Sequence, residues 1–186
     1  MEQRGVARSK WGMELWSWQA DQWTRAPWTL WTSAFVHLSG RHAAVNLASL
    51  LALGILARQW RCPARSLLAA LWAWPFGVAA LTAWPEVSSY SGLSGPLHGL
   101  ASVLAVQQLV TVWRAERRVS LAALALLSGV GLKLGIEQGW SHPIVWDPDW
   151  GFQVVRAAHL SGAACGLAAV LLVLAFRRPA PLPARP

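Results

Sequence analysis

The sequence predicts an all-α, polytopic membrane helix bundle with five transmembrane helices, and three observations carry that prediction. Of its 186 residues, 55% are hydrophobic and 13% are charged, whereas a soluble domain carries roughly 25% charged residues. The apolar residues gather in long runs rather than in alternating or one-sided stripes. Prolines, glycines and charges punctuate the chain between the runs. An ordinary water-soluble enzyme is thereby disfavoured.

Taken in order, residues 1–31 form a Trp-rich segment. Trp11, Trp16, Trp18, Trp23 and Trp28 suit a segment lying in the membrane interface on the extracytoplasmic side. It has no apolar stretch of the signal-peptide kind, so a further upstream span would explain how it reaches that side. Residues 32–178 make up the membrane domain. At about 20 apolar residues per span, the helices fall at 40–57, 66–84, 95–113, 119–136 and 155–176. Pro63, Pro85, Glu116 and the 143–151 stretch separate them. Residues 179–186 are a Pro-rich cytoplasmic tail, expected to be disordered.

Charge placement orients the bundle. A net charge of +8 would suggest nucleic acid as the partner of a soluble protein, but the cations here sit at alternate helix ends. Arg58, Arg61 and Arg65 occupy the first connection, Arg114, Arg117 and Arg118 the third, and Arg177, Arg178 and Arg185 the tail. These ends read as cytoplasmic. The connections 84–92 and 137–153 hold no Lys or Arg but do hold Glu86, Glu137, Asp147 and Asp149, and read as extracytoplasmic. Trp60 and Trp113 then mark the inner interface, and Trp84, Trp140 and Trp150 the outer one. The implied partner is the lipid bilayer, with no nucleic acid. Cys62 and Cys165 lie at different depths, so no disulfide is expected.

Polar groups within spans are costly and mark function or pairing. They are His37, His42, Asn46, Ser94, His98, Lys133, Glu137, Arg156 and His159. His42 and Asn46 are one turn apart on one face. Ser94 stands before Gly95-Pro96, at the start of the third span. His159 lies near the start of the last. Gly95 and Gly99 form one small-residue stripe, and Ala158, Gly162 and Gly166 another, so these two helices are expected to approach closely. Each residue also has a plain structural reading. Ser94 would serve as an N-cap, His159 as a carbonyl partner, and His42 and Asn46 as interhelical links. Lys133 and Glu137 would form an ion pair near the outer boundary. His37 and His98 would pack or cap, and His142 would sit in a loop. No H-E-x-x-H motif or cysteine cluster points to a metal, and no cofactor is implied.

The combination is more specific than its parts. Gly92-Leu93-Ser94-Gly95, Ala158-His159-Leu160-Ser161-Gly162-Ala163-Ala164-Cys165-Gly166 and His42-Ala43-Ala44-Val45-Asn46 resemble the GxSG, AHxxGxxxG and HxxxN signatures of the rhomboid intramembrane serine proteases, in the family order. Pro96 stands where the soluble hydrolase pattern has its last glycine. The string from Tyr90 to Gly99, with His98 one turn after Ser94, resembles the rhombosortase branch. Two departures are visible: the family's first span is missing here, and its Trp-Arg pair appears as Trp28-Thr29.

The resemblance implies a serine endopeptidase in a bacterial inner membrane with its site toward the periplasm. Ser94 would be the nucleophile and His159 the base, with no third carboxylate required. His42, Asn46 and the Ser94 N–H would hold the oxyanion. Gly92, Gly95, His98 and Gly162 would support the site, with Gly92 and Gly95 lining a narrow cleft beside His159. The implied substrates are membrane proteins with a C-terminal hydrophobic helix, preceded by Gly-Gly and followed by basic residues. A catalytically inactive rhomboid-like chaperone or scaffold, or a small transporter, is the alternative. The Ser-His pair argues against the first, and the absence of paired repeats or an acidic relay argues against the second.

Overall fold

The computed structural model describes residues 13–176. Trp18–Gln19 form strand β1, followed by a single-turn helix α1, Thr29–Thr32, which runs into a 3-10 turn at Ser33–Phe35. Five longer helices follow: α2 Gly40–Gln59, α3 Ala64–Ala79, α4 Ser94–Glu116, α5 Leu121–Glu137 and α6 Arg156–Ala175. A 3-10 turn at Ala80–Ala83 extends α3. Strand β2, Ser89–Tyr90, precedes α4, while β3, Ile144–Asp147, and β4, Phe152–Val155, join α5 to α6. The five expected helices are present within a few residues, but two short antiparallel ribbons correct the all-α expectation.

Local chemistry sets the helix limits. Ser39 caps α2 by accepting the His42 N–H at 3.1 Å, and Ser120 caps α5 by accepting from Ala123. Pro63 stands immediately before α3. Arg117 and Gln138 adopt left-handed backbone and end α4 and α5. Among the described residues, three helices are long and apolar enough to cross a membrane: Gly40–Gln59, Ala64–Ala83 and Arg156–Ala175. Helix α4 has 23 residues but carries His98, Ser102, Gln107 and Thr111 along its length. Helix α5 has 17 residues, a little short of a full span.

Helix α4 is the central element. Its Leu97, Ala101 and Leu104 pack with Ala34 and Leu53 on one side. Val103 and Val106 meet Val170 and Leu174 of α6 on another. Polar side chains along α4 are satisfied internally: Ser66 donates to Gln107 at 2.8 Å, and Gln107 donates to Thr111. Among the described residues before α2, part of the chain packs onto the helices. Trp18, assigned to the interface from sequence, is fully buried with Val78, Leu81, Val87 and Tyr90, and pairs with Tyr90 in the β1–β2 ribbon. Trp16 and Trp28 are exposed. The expected interfacial Trp11, the basic tail residues and the Pro-rich tail lie outside the described residues.

Candidate active site

Ser94 is the first residue of α4. The turn before it is held by Gly92, at φ +124°, whose N–H donates to the Ser33 carbonyl at 2.8 Å. A side chain at Gly92 would also strike the His42 ring, so both the backbone and the space require glycine. His159 lies in the first turn of α6 and is 5% exposed. Its Nε2 is 3.0 Å from the Ser94 Oγ.

The small-residue stripes bring these two helices to that distance. A Cβ on Gly162 would collide with the Gly95 carbonyl, and one on Gly166 with the backbone of Gly99. Gly95 therefore sits in the α4–α6 seam against Ala158, which corrects the expectation that it lines the cleft. Gly162 lies in the same seam. The Gly95 N–H donates to the buried Tyr90 hydroxyl at 3.0 Å. Burial pushes the Tyr90 phenol up to about 12.

His98 stacks on His159 with ring centroids 4.4 Å apart and 17° between planes, and its Nδ1 donates to the Ser94 carbonyl at 2.7 Å. The opposite face of His159 chemistry was not anticipated from sequence. Its Nδ1 lies 2.7 Å from Glu137 Oε2, while Glu137 Oε1 takes Lys133 at 2.5 Å. The expected Lys133–Glu137 pair exists, but it uses only one carboxylate oxygen. The Arg156 guanidinium donates to the Glu137 backbone carbonyl at 3.1 Å. A carboxylate accepts only, so a neutral His159 ring donates to Glu137 from Nδ1 and leaves the Nε2 lone pair for the Ser94 hydroxyl. The only sequence signal for this contact is that Glu137 is the one carboxylate among the polar residues of the spans, and its spacing from Lys133 already gave it a partner.

Across the cleft, Asn46 and His42 come from α2. Asn46 is 5% exposed, and its Nδ2 and the His42 Nδ1 are buried without a partner. Both residues line the same cleft as Ser94, and an amide N–H without a partner, such as that of Asn46, suits a developing negative charge. Trp150 and Phe152 of the β3–β4 ribbon cover His42, with ring centroids 5.9 and 5.2 Å away. Arg41 ties that ribbon to α2 through the Asp149 carbonyl at 2.9 Å and through the Trp150 ring. His37 lies edge-on to His42, and His142 is an exposed loop residue bonded to Ser141. The resulting cleft of about 900 Å³ is lined by His42, Asn46, Ser94, His98, Glu137 and His159. Its inner part is apolar, with Leu53, Leu97, Leu126 and Val130. Among the described residues no three His, Cys, Asp or Glu side chains group as metal ligands do.

The family model of the Rhomboid domain matches residues 24–176. The chain belongs to the rhomboid family. Rhomboids are intramembrane serine proteases, and the apolar helices of this rhomboid are those of a membrane protein. Comparison with curated proteins and with solved structures found no match. The family match names no branch within the rhomboids.

Proposed function

We propose that this rhomboid is an active serine endopeptidase that cuts membrane-anchored proteins beside a C-terminal hydrophobic helix. The observation that carries the reading is the 3.0 Å contact between Ser94 Oγ and His159 Nε2. Ser94 Oγ attacks the scissile carbonyl carbon while His159 Nε2 takes the hydroxyl proton. The oxyanion is held by the Asn46 amide, by His42 and by the Ser94 N–H at the positive end of α4. His159 returns the proton to the leaving amine, which departs and leaves an ester on Ser94. Water then gives a proton to His159 and attacks the ester, freeing the acid and restoring Ser94.

The proposal includes five spans, α2 to α6, with Ser94 at the extracytoplasmic end of α4, in a bacterial inner membrane. Its support is the alternation of Arg-rich and Arg-free connections. The substrate proposed, as in the rhombosortases, carries Gly-Gly before its helix and basic residues after it. A glycine resists helix formation by roughly 0.8 to 1 kcal/mol relative to Ala, so such a pair presents extended backbone to Ser94. The basic end keeps the substrate's C-terminus in the cytoplasm and the glycines at the depth of the serine.

A tripartite reporter tests both levels in one experiment. It is cut near the glycines by the wild type and left intact by Ser94→Ala and His159→Ala at equal abundance. Cleavage surviving Ser94→Ala refutes the protease reading. Equal cutting of a reporter with Leu-Leu in place of Gly-Gly refutes the substrate class and leaves the protease reading standing.

A further inference from the structure

We propose that Glu137 is a positioning residue that fixes the proton of His159 on Nδ1, so that the serine and histidine work with a third member carried on a different helix. This rests on the protease reading above. Three observations converge on it. Glu137 Oε2 meets Nδ1 at 2.7 Å, on the opposite side of the ring from the Ser94 contact at 3.0 Å. Lys133 holds the other carboxylate oxygen, Oε1, and Arg156 holds the main-chain carbonyl of the same residue, so both ends of Glu137 are tied where it meets His159. The remaining degree of freedom, tilt of the imidazole, is taken up by the His98 ring stacked on it at 4.4 Å.

The positions of the three groups also distribute the job between helices. Ser94 is on α4 and His159 on α6, packed together through glycine backbones. Glu137 is the last residue of α5, whose other side chains are largely exposed: Leu121, Leu132 and Ile136 are each more than half exposed. The base therefore has its correct tautomer only while the outer end of α5 rests against α6. With Nδ1 protonated, His159 accepts from Ser94. With the proton on Nε2, the ring faces the serine with an N–H and cannot take its proton.

Lys133 makes the prediction sharp. Lysine only donates, so in Glu137→Gln it claims the amide oxygen and turns the NH2 group toward His159. An amide NH2 also only donates, which forces the Nδ1 lone pair inward and the proton onto Nε2. Glu137→Gln, nearly identical in shape, is then worse than a mere loss of charge. In Lys133→Met/Glu137→Gln the amide is free to turn and present its oxygen to Nδ1.

The test uses the full chain in detergent micelles with 15N-labelled histidine, the His159 resonances being assigned by their loss in His159→Gln. At neutral pH the wild type shows a protonated Nδ1 and a bare Nε2. Glu137→Gln inverts that pattern and lowers kcat by about 10³- to 10⁴-fold, the scale of a lost orienting carboxylate in serine proteases. Lys133→Met/Glu137→Gln restores the wild-type tautomer and part of kcat. A wild-type tautomer and kcat in Glu137→Gln overturn the proposal. So does equal inactivity of both variants with Nδ1 still protonated, which marks a structural role alone. The tautomer is read without turnover, so failure of the protease reading is distinguishable: it shows as cleavage surviving Ser94→Ala.

Discussion

Helices α4 and α6 meet through glycine, whereas α2 and α5, which face them across the cleft, use the same residue to no such end. Gly162 and Gly166 stand so close to the α4 backbone that no side chain fits. Gly54 on α2 and Gly129, Gly131 and Gly135 on α5 have open space where a Cβ would go. The rest of the two helices follows suit: Leu47, Leu51 and Ile55 of α2 and Leu121, Leu132 and Ile136 of α5 are exposed. Lipid is as apolar as leucine, so helices in a membrane are held by close backbone approach and polar links rather than by burying apolar faces. The tight pair therefore sets the distance between Ser94 and His159. The loose pair supplies Asn46, His42 and Glu137 and sets the width of the cleft.

The largest expected effect comes from breaking the tight pair. In Gly162→Val the new Cβ meets the Gly95 carbonyl, which is backbone and cannot swing aside. The helices have to separate, and the 3.0 Å contact between Ser94 and His159 opens with them. Overpacking costs typically 1 to 3 kcal/mol, and a backbone collision belongs at or above the top of that range, about 3 kcal/mol. Thermal unfolding in detergent should show a clearly lowered Tm, and reporter cleavage should fall to the level of Ser94→Ala. A variant that is both stable and active would show that the seam does not position the base.

Tyr90 probes the Ser94 end of the same seam. It is the only tyrosine, its hydroxyl accepts the Gly95 N–H at 3.0 Å, and burial raises it from 10.0 to about 12. The charged form is disfavoured in the folded state, so between pH 10 and 12 the unfolded chain releases a proton that the folded chain keeps. Stability is then undiminished below pH 10 and falls as the pH rises toward 12, by about 2 to 3 kcal/mol at 1.36 kcal/mol per unit. The expected result is a smaller loss of Tm across that interval in Tyr90→Phe than in the wild type. The tyrosinate absorbance of the wild type should appear only toward the upper end. Ionisation near pH 10 would place Tyr90 in contact with water and remove it from the seam.

The contrast between the two halves also explains what could be read from the chain. Long apolar runs, Arg-rich turns and the four-residue spacing of Gly95 with Gly99 and of Gly162 with Gly166 are local patterns, and the helices and the seam follow from them. Glu137 was hidden by a local pattern that seemed complete. Its spacing from Lys133 accounts for one carboxylate oxygen, and nothing along the chain tells where the second points. Trp18 misled for a similar reason, since a tryptophan suits an interface and a buried ribbon equally well until Tyr90 is seen beside it. The β3–β4 ribbon is built from four-residue strands around a turn in which Asp147 caps the Asp149 N–H and Gly151 takes φ +73°. Strands that short leave little alternation to detect.

The smallest effect belongs to the loose pair, and it is the control that gives the other results their meaning. Gly54→Ala on α2 and Gly131→Ala on α5 each add a methyl group where nothing lies within 4 Å. Neither residue touches the cleft groups, and alanine is the better helix former. A substitution that meets no neighbour stays within about 0.5 kcal/mol, so Tm should hold or rise slightly. Reporter turnover should change by no more than about twofold, the rate equivalent of that energy. If either alanine instead cost as much as Gly162→Val, the glycines of α2 and α5 would have to be contact positions like those of α4 and α6. A second close helix approach would then exist, and the cleft would be held as firmly on its open side as at the seam.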